Sequence, residues 1–448
     1  MPIFPNWSYA FGAASWLLAA AALGATPTTP KAEYLLIVSI DGLPWDGFSR
    51  QPATMPTLQA MAREGASGPL SSVFPTMTWA AHASLWTGQL PLHHGIVGNR
   101  YFDRISQKWV EYAEKGAEAL RSPTLADAAK AAGWSVGSIF WPNSGGATGI
   151  TWNLPEAYRD KDFTHLTTPA SRNLLEAIGL PAATLPRLAS NETYTMDMAT
   201  QEIAVHLVGK YKPRVLFVHF LSVDTASHTY GPTTAAVTWA MTSVDRNLAA
   251  VLAAYDRAGI GQSLVTFVVS DHGFAPMSRG LLVPTLLRSL RKSTGLAKLQ
   301  LMANGHALYF YGVSTAADAQ RLTPALLATD GIEKVITPSE YAGLGLPLPA
   351  KDPRSPDLIA LARPDVLVWN GTDLQREGAL SMLGAHGYLP SLPALQGILI
   401  ARGPGIGVAK LSGARVIDVA PTAAKAVGLQ LPGPIDGKVL EVAPAKNR

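Results

Sequence analysis

The sequence predicts an α/β fold, with a mostly parallel sheet and helices on both of its faces. Continuous apolar runs, typical of strands buried on both faces, recur at 34–40, 136–140, 215–223, 264–270 and 397–401. Alanine-rich helical patterns separate them, for example at 124–132 and 235–254. Strands that alternate with helices indicate parallel pairing, because each crossover must return the chain to the same end of the sheet.

A different pattern occupies residues 283–383. Apolar segments HALYFYGV, IEKVIT and LIALARPDVLVW are combined there with one helical pattern at 316–328. We therefore expect a small inserted α+β cap subdomain, with the catalytic domain formed by residues 33–282 and 384–442.

Composition excludes several classes of protein. The 448 residues are 48% hydrophobic and 15% charged, which suits a large folded core. The chain has no cysteine, so disulfide scaffolds, thiolate metal sites and cysteine nucleophiles are excluded. Lys and Arg number 36 against 32 acids, and they are scattered along the chain, which argues against a nucleic-acid groove.

The amino terminus resembles a secretory signal. Residues 11–25 (FGAASWLLAAAALGA) are apolar or small, and Ala22-Leu23-Gly24 fits a small-x-small cleavage site. At 15 residues the run is shorter than a membrane span needs, and we expect no stable span elsewhere. We predict a signal peptide within 1–25 and a periplasmic or secreted protein. An uncleaved anchor or a misplaced start remains open.

Three of the apolar runs lead to an acid: Asp41, Asp224 and Asp271. The carboxyl ends of parallel strands meet at one edge of a sheet, so these acids should converge there. Any single Asp of this kind is usually a turn former or a helix cap. Three converging carboxylates, however, require cations, and histidines accompany them at His228, His272 and His386.

The six side chains divide into two sets of ligands suited to zinc. Asp224, His228 and His386 form one set, and Asp41, Asp271 and His272 form the other. Two ions about 4 Å apart would suit in-line displacement at phosphorus.

A nucleophile candidate lies in FPTMTWAAHASLWTG at 74–88. An extended segment with a proline leads there into an alanine-rich pattern, so a helix is expected to begin near Thr78. A threonine at a helix start is usually a cap. Bound to a metal ion and facing the helix amides, its hydroxyl can instead attack phosphorus.

Seven segments follow one another along the chain: SIDGLP, FPTMTWAAHASLWTG, HGIVGN, FWPNS, DTASHTYGP, VSDHGF and GAHGY. As an ordered set they resemble the nucleotide pyrophosphatase/phosphodiesterase family of the alkaline phosphatase superfamily. The resemblance implies an alkaline phosphatase-like fold and two zinc ions per chain. It adds Thr78 to the ligands Asp41, Asp271 and His272 of one ion. Thr78, rather than Thr76, would be the nucleophile, because it precedes Trp79 and lies 21 positions before Asn99. Asn99 and the Thr78 amide would stabilise the phosphate oxygens.

The implied reaction is hydrolysis of a phosphodiester or phosphoanhydride through a phospho-threonine. A phosphomonoesterase on the same fold is the main alternative, although WPNSGG lacks the Lys-x-Arg element of monoester enzymes. A sulfatase is disfavoured, since the chain has no cysteine and no Ser-x-Pro-x-Arg. A non-catalytic metal-binding protein is a further alternative.

The substrate is a small molecule whose identity the sequence leaves open between a nucleotide and a lipid-headgroup diester. Trp79 is a candidate for stacking on a base, with Trp152 or Tyr158 as the opposite wall. We assign structural roles to His82, His93 and His94, and local or surface roles to Asp46 and Asp245.

Overall fold

The computed structural model describes residues 32–442 except 374, 377 and 378, so the predicted signal peptide lies outside the described residues. Its central sheet has nine strands, of which five form a parallel block. From one edge, these five are Trp152–Leu154, Val136–Ile139, Val215–Phe220, Tyr34–Ile40 and Leu264–Val269. The sheet continues with Gly397–Arg402, Ala66–Ser71 and the short strands Ala409–Lys410 and Ala414–Arg415.

Gly397–Arg402 runs antiparallel to both of its neighbours, and the other pairings in this sheet are parallel. The predicted mostly parallel sheet is therefore confirmed. Three apolar runs extend past the observed strands: the run 215–223 by three residues, because its strand ends at Phe220, and the runs 136–140 and 264–270 by one residue each.

Alternate residues of Tyr34–Ile40 face two separate cores. Leu36, Val38 and Ile40 belong to one core and Leu35 and Ile37 to the other, as expected of a strand covered on both sides. The first core is covered by helices Pro56–Glu64, Thr193–Tyr211 and Ala235–Arg257. The second is covered by Thr78–Thr87, Leu125–Ala131 and Val419–Val427.

A second, antiparallel sheet of four strands lies within the range predicted as an insertion. Its order is Gln300–Asn304, Ala307–Tyr311, Leu358–Ala362 and Ile332–Ile336. Helices Val283–Thr294 and Ala316–Leu327 pack on one face, whereas Tyr309 and Tyr311 on the other face join a buried cluster with Trp79 and Tyr112. The domain boundaries at 283 and 383 stay a prediction.

Short elements complete the described chain. The paired strands are Arg100–Asp103 with Lys108–Glu111, Ala275–Pro276 with Gly384–Ala385, Arg279–Leu282 with Val366–Trp369, and Gln375–Arg376 with Ala379–Leu380. The remaining α-helices are Trp45–Arg50, Pro91–His94, Asp160–Leu166, Pro169–Ala177, Leu185–Asn191 and Ser222–Tyr230. No helix in the described part of the chain is both long and apolar enough to cross a membrane.

Candidate active site

Asp41 and Asp271 lie just beyond the carboxyl ends of neighbouring parallel strands. The Asp41 amide donates to the Phe220 carbonyl at 2.9 Å, which extends the strand pairing by one residue. The Gly42 amide donates to Asp271 Oδ1 at 3.2 Å. Gly42 has φ +68°, and a β-carbon there would lie 2.4 Å from the ring of Phe274, so this turn requires glycine.

Asp224 and His228 lie on a helix, Ser222–Tyr230, and not at the end of a strand as the sequence had indicated. Their spacing of four residues places both side chains on one helix face. His228 Nε2 is 3.5 Å from Asp224 Oδ1.

His386 completes this first group of ligand atoms. Its Nε2 is 3.2 Å from His228 Nε2 and 3.7 Å from Asp224 Oδ1. The Nδ1 of His386 donates to the Thr76 carbonyl at 2.8 Å, and that of His228 donates to the Gly384 carbonyl at 2.9 Å. A carbonyl only accepts, so each Nδ1 carries the hydrogen and each Nε2 presents a lone pair to a common point.

A second group of ligand atoms adjoins the first. Asp41, Asp224 and His272 each offer an atom within 4.8 Å of the others, so Asp224 belongs to both groups. His272 Nε2 is 3.4 Å from Asp41 Oδ1 and 3.2 Å from Asp271 Oδ2. All six predicted Asp and His ligands are thus brought together, with Asp224 more central than the sequence indicated.

The charges of the site call for cations. Asp41 Oδ1, Asp224 Oδ1 and Asp271 Oδ2 are buried and have no hydrogen-bond partner among the described residues. Burial raises the pKa of all three carboxyls, and in Asp41 the other two acids raise the pKa further. Burial lowers the pKa of His272 to about 4. Unpaired carboxylate oxygens beside neutral imidazoles are the donors that a divalent cation such as zinc prefers.

Thr78 borders the second group. It is the first residue of helix Thr78–Thr87, as expected, and its Oγ1 is 3.4 Å from His272 Nε2. The hydroxyl of Thr76 is engaged elsewhere, because it accepts from the Gly387 amide at 2.8 Å and donates to the Tyr388 carbonyl at 3.3 Å.

Asn99 is anchored beside Thr78. Its Oδ1 accepts from the Trp79 amide at 3.1 Å. This bond uses the side-chain oxygen of Asn99 as an acceptor, so the NH2 group of the same side chain can still donate to a ligand.

The proposed aromatic walls need correction. Trp79 is 5% exposed and packs in the buried cluster beside the second sheet, so little of its ring is open to a ligand. Trp152 pairs in register with Gly137, and through the sheet with Leu36, five residues before Asp41. At roughly 3.3 Å per residue this is about 16 Å from the site along the strands, so it cannot form a wall there.

Tyr158 is 41% exposed, and its hydroxyl donates to Glu156. The structure therefore ties Tyr158 to a buried acid, and its role as a wall for the substrate stays a prediction.

Two residues given minor roles are more deeply placed than expected. His82 is fully buried; its Nδ1 donates to the Thr78 carbonyl at 2.8 Å and lies 3.7 Å from Asp271 Oδ2. Asp245 is 1% exposed and accepts from the amides of Thr57 and Leu58, both at 3.0 Å, so it is not a surface residue. It caps helix Pro56–Glu64 from another helix.

The other three fit structural or surface roles. His94 contacts the Ser84 hydroxyl at 2.9 Å and His93 contacts Asp436 at 2.7 Å. Asp46 pairs with Arg50 on the surface.

Sequence reasoning missed His219 and Glu156. His219 Nε2 is 3.3 Å from Asp41 Oδ2, and its Nδ1 is 3.2 Å from Glu156 Oε2. Burial alone would lower the pKa of His219, but its bonds to Asp41 and Glu156 outweigh burial and hold that pKa well above its ordinary value. The available signal was one histidine inside the apolar run VLFVHFLSV.

A cavity of about 250 Å³ opens beside His228 and His386. Asn99 and Arg100 line it from the main body, and Trp369 lines it from the strand that follows the second sheet. Arg100 also pairs with Glu111 at 2.8 Å.

Residues 35–389 match the family described as type I phosphodiesterase / nucleotide pyrophosphatase. The chain belongs to this family. It is 23% identical to the frog (Xenopus laevis) bis(5'-adenosyl)-triphosphatase enpp4, with 85% of this chain and 74% of that protein aligned. It is 26% identical to human ectonucleotide pyrophosphatase/phosphodiesterase family member 7, over 55% of this chain and 48% of the relative. It thus spans about half the length of some curated relatives.

Solved structures of related proteins share the fold of this chain. Murine ectonucleotide pyrophosphatase/phosphodiesterase 5 superposes with a TM-score of 0.68 at 20% identity, covering 90% of this chain and 97% of that one. An inactive variant of the murine protein, solved in complex with AMP, superposes equally well and covers 91% of this chain.

Proposed function

We propose that this protein is a metal-dependent hydrolase of phosphodiester or phosphoanhydride bonds that uses Thr78 as its nucleophile. The observation that carries the proposal is the position of the Thr78 hydroxyl, 3.4 Å from His272 and beside two adjoining groups of metal-ligand atoms. Membership of the phosphodiesterase family supports the class of reaction.

Two zinc ions are the proposed cofactors. Asp224, His228 and His386 would hold one, and Asp41, Asp271, His272 and Thr78 the other, with Asp224 close to both. Ions bound there would lower the pKa of the Thr78 hydroxyl and offset the charge of the phosphate oxygens.

In the proposed reaction, Thr78 Oγ1 attacks phosphorus while the bond to the leaving oxygen breaks, which produces a phospho-threonine. The Asn99 NH2 group donates to a nonbridging phosphate oxygen, and the Thr78 amide at the start of helix Thr78–Thr87 is the proposed second donor. Water then attacks phosphorus while the bond from phosphorus to Thr78 Oγ1 breaks; one proton of the water returns to Oγ1, and the phosphate product leaves. Two in-line steps predict net retention of configuration at phosphorus.

We propose a nucleotide as the substrate, because a similar structure was solved with AMP and a curated relative is named a bis(5'-adenosyl)-triphosphatase. The cavity beside His228 is the proposed place for part of it. Comparing turnover of ATP, dinucleotides and glycerophosphocholine tests this against a lipid-headgroup diester.

The test of the reaction is Thr78→Ala, with Thr78→Ser as the matched control that keeps a hydroxyl. We expect Thr78→Ala to lower kcat by at least about 10³-fold with its zinc content unchanged. Undiminished hydrolysis by Thr78→Ala would move the nucleophile elsewhere. A strong preference for p-nitrophenyl phosphate over bis-p-nitrophenyl phosphate would favour a phosphomonoesterase, and zinc binding without any turnover would favour a non-catalytic metal protein.

A further inference from the structure

Two buried polar residues lie beside the candidate metal site without belonging to it. His219 is fully buried one residue before the end of its strand and is paired in register with Ser39. Glu156 follows the edge strand Trp152–Leu154 and is 2% exposed. Burying an imidazole and a carboxylate costs free energy unless polar or charged partners compensate them, so the contacts of these two side chains indicate their role.

Every polar atom of the His219 ring faces an acceptor. Nδ1 donates to the Phe140 carbonyl at 3.1 Å and also faces Glu156 Oε2 at 3.2 Å. Nε2 faces Asp41 Oδ2 at 3.3 Å. A carbonyl only accepts, so Nδ1 carries a hydrogen. The contacts with Glu156 Oε2 and Asp41 Oδ2 are ion-pair contacts outside hydrogen-bond geometry, and each carboxylate favours a hydrogen on the ring nitrogen that it faces.

The two oxygens of Asp41 therefore lie beside different histidines. Oδ2 contacts His219, whereas Oδ1 is 3.4 Å from His272 Nε2 and has no hydrogen-bond partner among the described residues. Glu156 is held in turn by the Tyr158 hydroxyl, which donates to its other oxygen.

We propose that His219, supported by Glu156, is a positioning residue that orients the Asp41 carboxylate and presents Oδ1 to the divalent cation shared with His272. This inference rests on the metal site of the proposed function. Residues behind a metal ligand typically change metal affinity 10- to 100-fold when they are replaced.

The experiment titrates zinc into the metal-free, full-length protein in competition with a chromophoric chelator. The variants are His219→Leu, which removes both ring nitrogens, and Glu156→Gln, which keeps the shape and removes the supporting charge. His165→Gln, an exposed histidine on helix Asp160–Leu166, is the control. Circular dichroism of each metal-free variant verifies folding.

We expect two binding steps for the wild type and the control. In His219→Leu one step should weaken by about 10- to 100-fold while the other stays close to wild type. Glu156→Gln should weaken the same step by a smaller factor, and it carries the test if His219→Leu does not fold. Wild-type affinity in both folded variants would overturn this inference alone, whereas no zinc binding by the wild type would overturn the proposed function with it.

Discussion

Asp197 is expected to hold in place the helix that carries Asp224 and His228. It is 1% exposed, and its two carboxylate oxygens accept from the amides of Leu221, at 2.7 Å, and Ser222, at 3.0 Å. Those amides belong to the first turn of the helix, where the chain itself offers no partner. Replacing Asp197 therefore loosens the support of two proposed metal ligands without touching them.

The magnitude follows from the two bonds. Asp197→Ala leaves two buried amides unpaired at roughly 1–2 kcal/mol each, so the free energy of unfolding should fall by about 2–4 kcal/mol. Asp245→Ala is the matched control, because Asp245 makes the same pair of bonds to a helix remote from the site. Both variants lose two bonds, but Asp197→Ala also removes a buried charge that destabilises the folded protein above pH 6. We therefore expect Asp197→Ala to lose less stability than Asp245→Ala in urea unfolding at pH 7, and yet to be the variant that loses zinc affinity and kcat.

The pH dependence of unfolding gives a second measurement. Burial raises the pKa of Asp197 from 3.8 to about 6. A raised pKa means that the folded protein retains the proton more tightly, so this contribution to stability is complete below pH 3.8 and is lost as the pH rises through 6. The loss amounts to about 3 kcal/mol, since one pKa unit corresponds to about 1.4 kcal/mol. Asp197→Asn should lack this loss. Identical pH profiles for wild type and Asp197→Asn, or equal effects of the Asp197→Ala and Asp245→Ala variants on zinc binding, would refute the reasoning.

Three further outcomes are expected. Burial lowers the pKa of His94 from 6.5 to about 3, so between these pH values the unfolded chain takes up a proton that the folded protein does not, and the free energy of unfolding decreases as the pH decreases. In His94→Gln, urea unfolding at acid pH should show a smaller decrease of this free energy per pH unit. Trp79→Ala should cost about 3–5 kcal/mol of stability, because the ring is buried, and unchanged thermal unfolding would contradict its burial. A chelator should abolish hydrolysis and lower the Tm, since it leaves three buried aspartates facing one another; zinc, but not additional substrate, should restore both.

The sequence was informative where a local pattern determines a position in space. Asp41 and Asp271 follow long apolar runs, and parallel strands bring such positions together whatever the loops do. The helix that starts at Thr78 was also foreseeable, because an extended segment with a proline gives way there to a helix-forming one.

The misplaced residues depend on register and packing, which no local pattern contains. Trp152 belongs to a three-residue strand, and only its pairing with Gly137 shows that it lies at the wrong end of the sheet. The burial of Trp79 arises from contact with the second sheet, far along the chain. His219 looks like one polar residue in an apolar strand until the neighbouring strand places Asp41 beside it.

Metal binding and folding must be linked in this site, because the protein alone offsets little of its negative charge. Asp41, Asp224 and Asp271 are buried together, and each has a carboxylate oxygen without a hydrogen-bond partner among the described residues. His219 makes an ion-pair contact with Asp41, but the imidazoles of His272 and His386 are held neutral by burial and face the acids as acceptors. Protonation can relieve the repulsion among the acids, but it removes the ligands. Divalent cations relieve it and keep the acids ionised, so zinc affinity should fall as the pH falls.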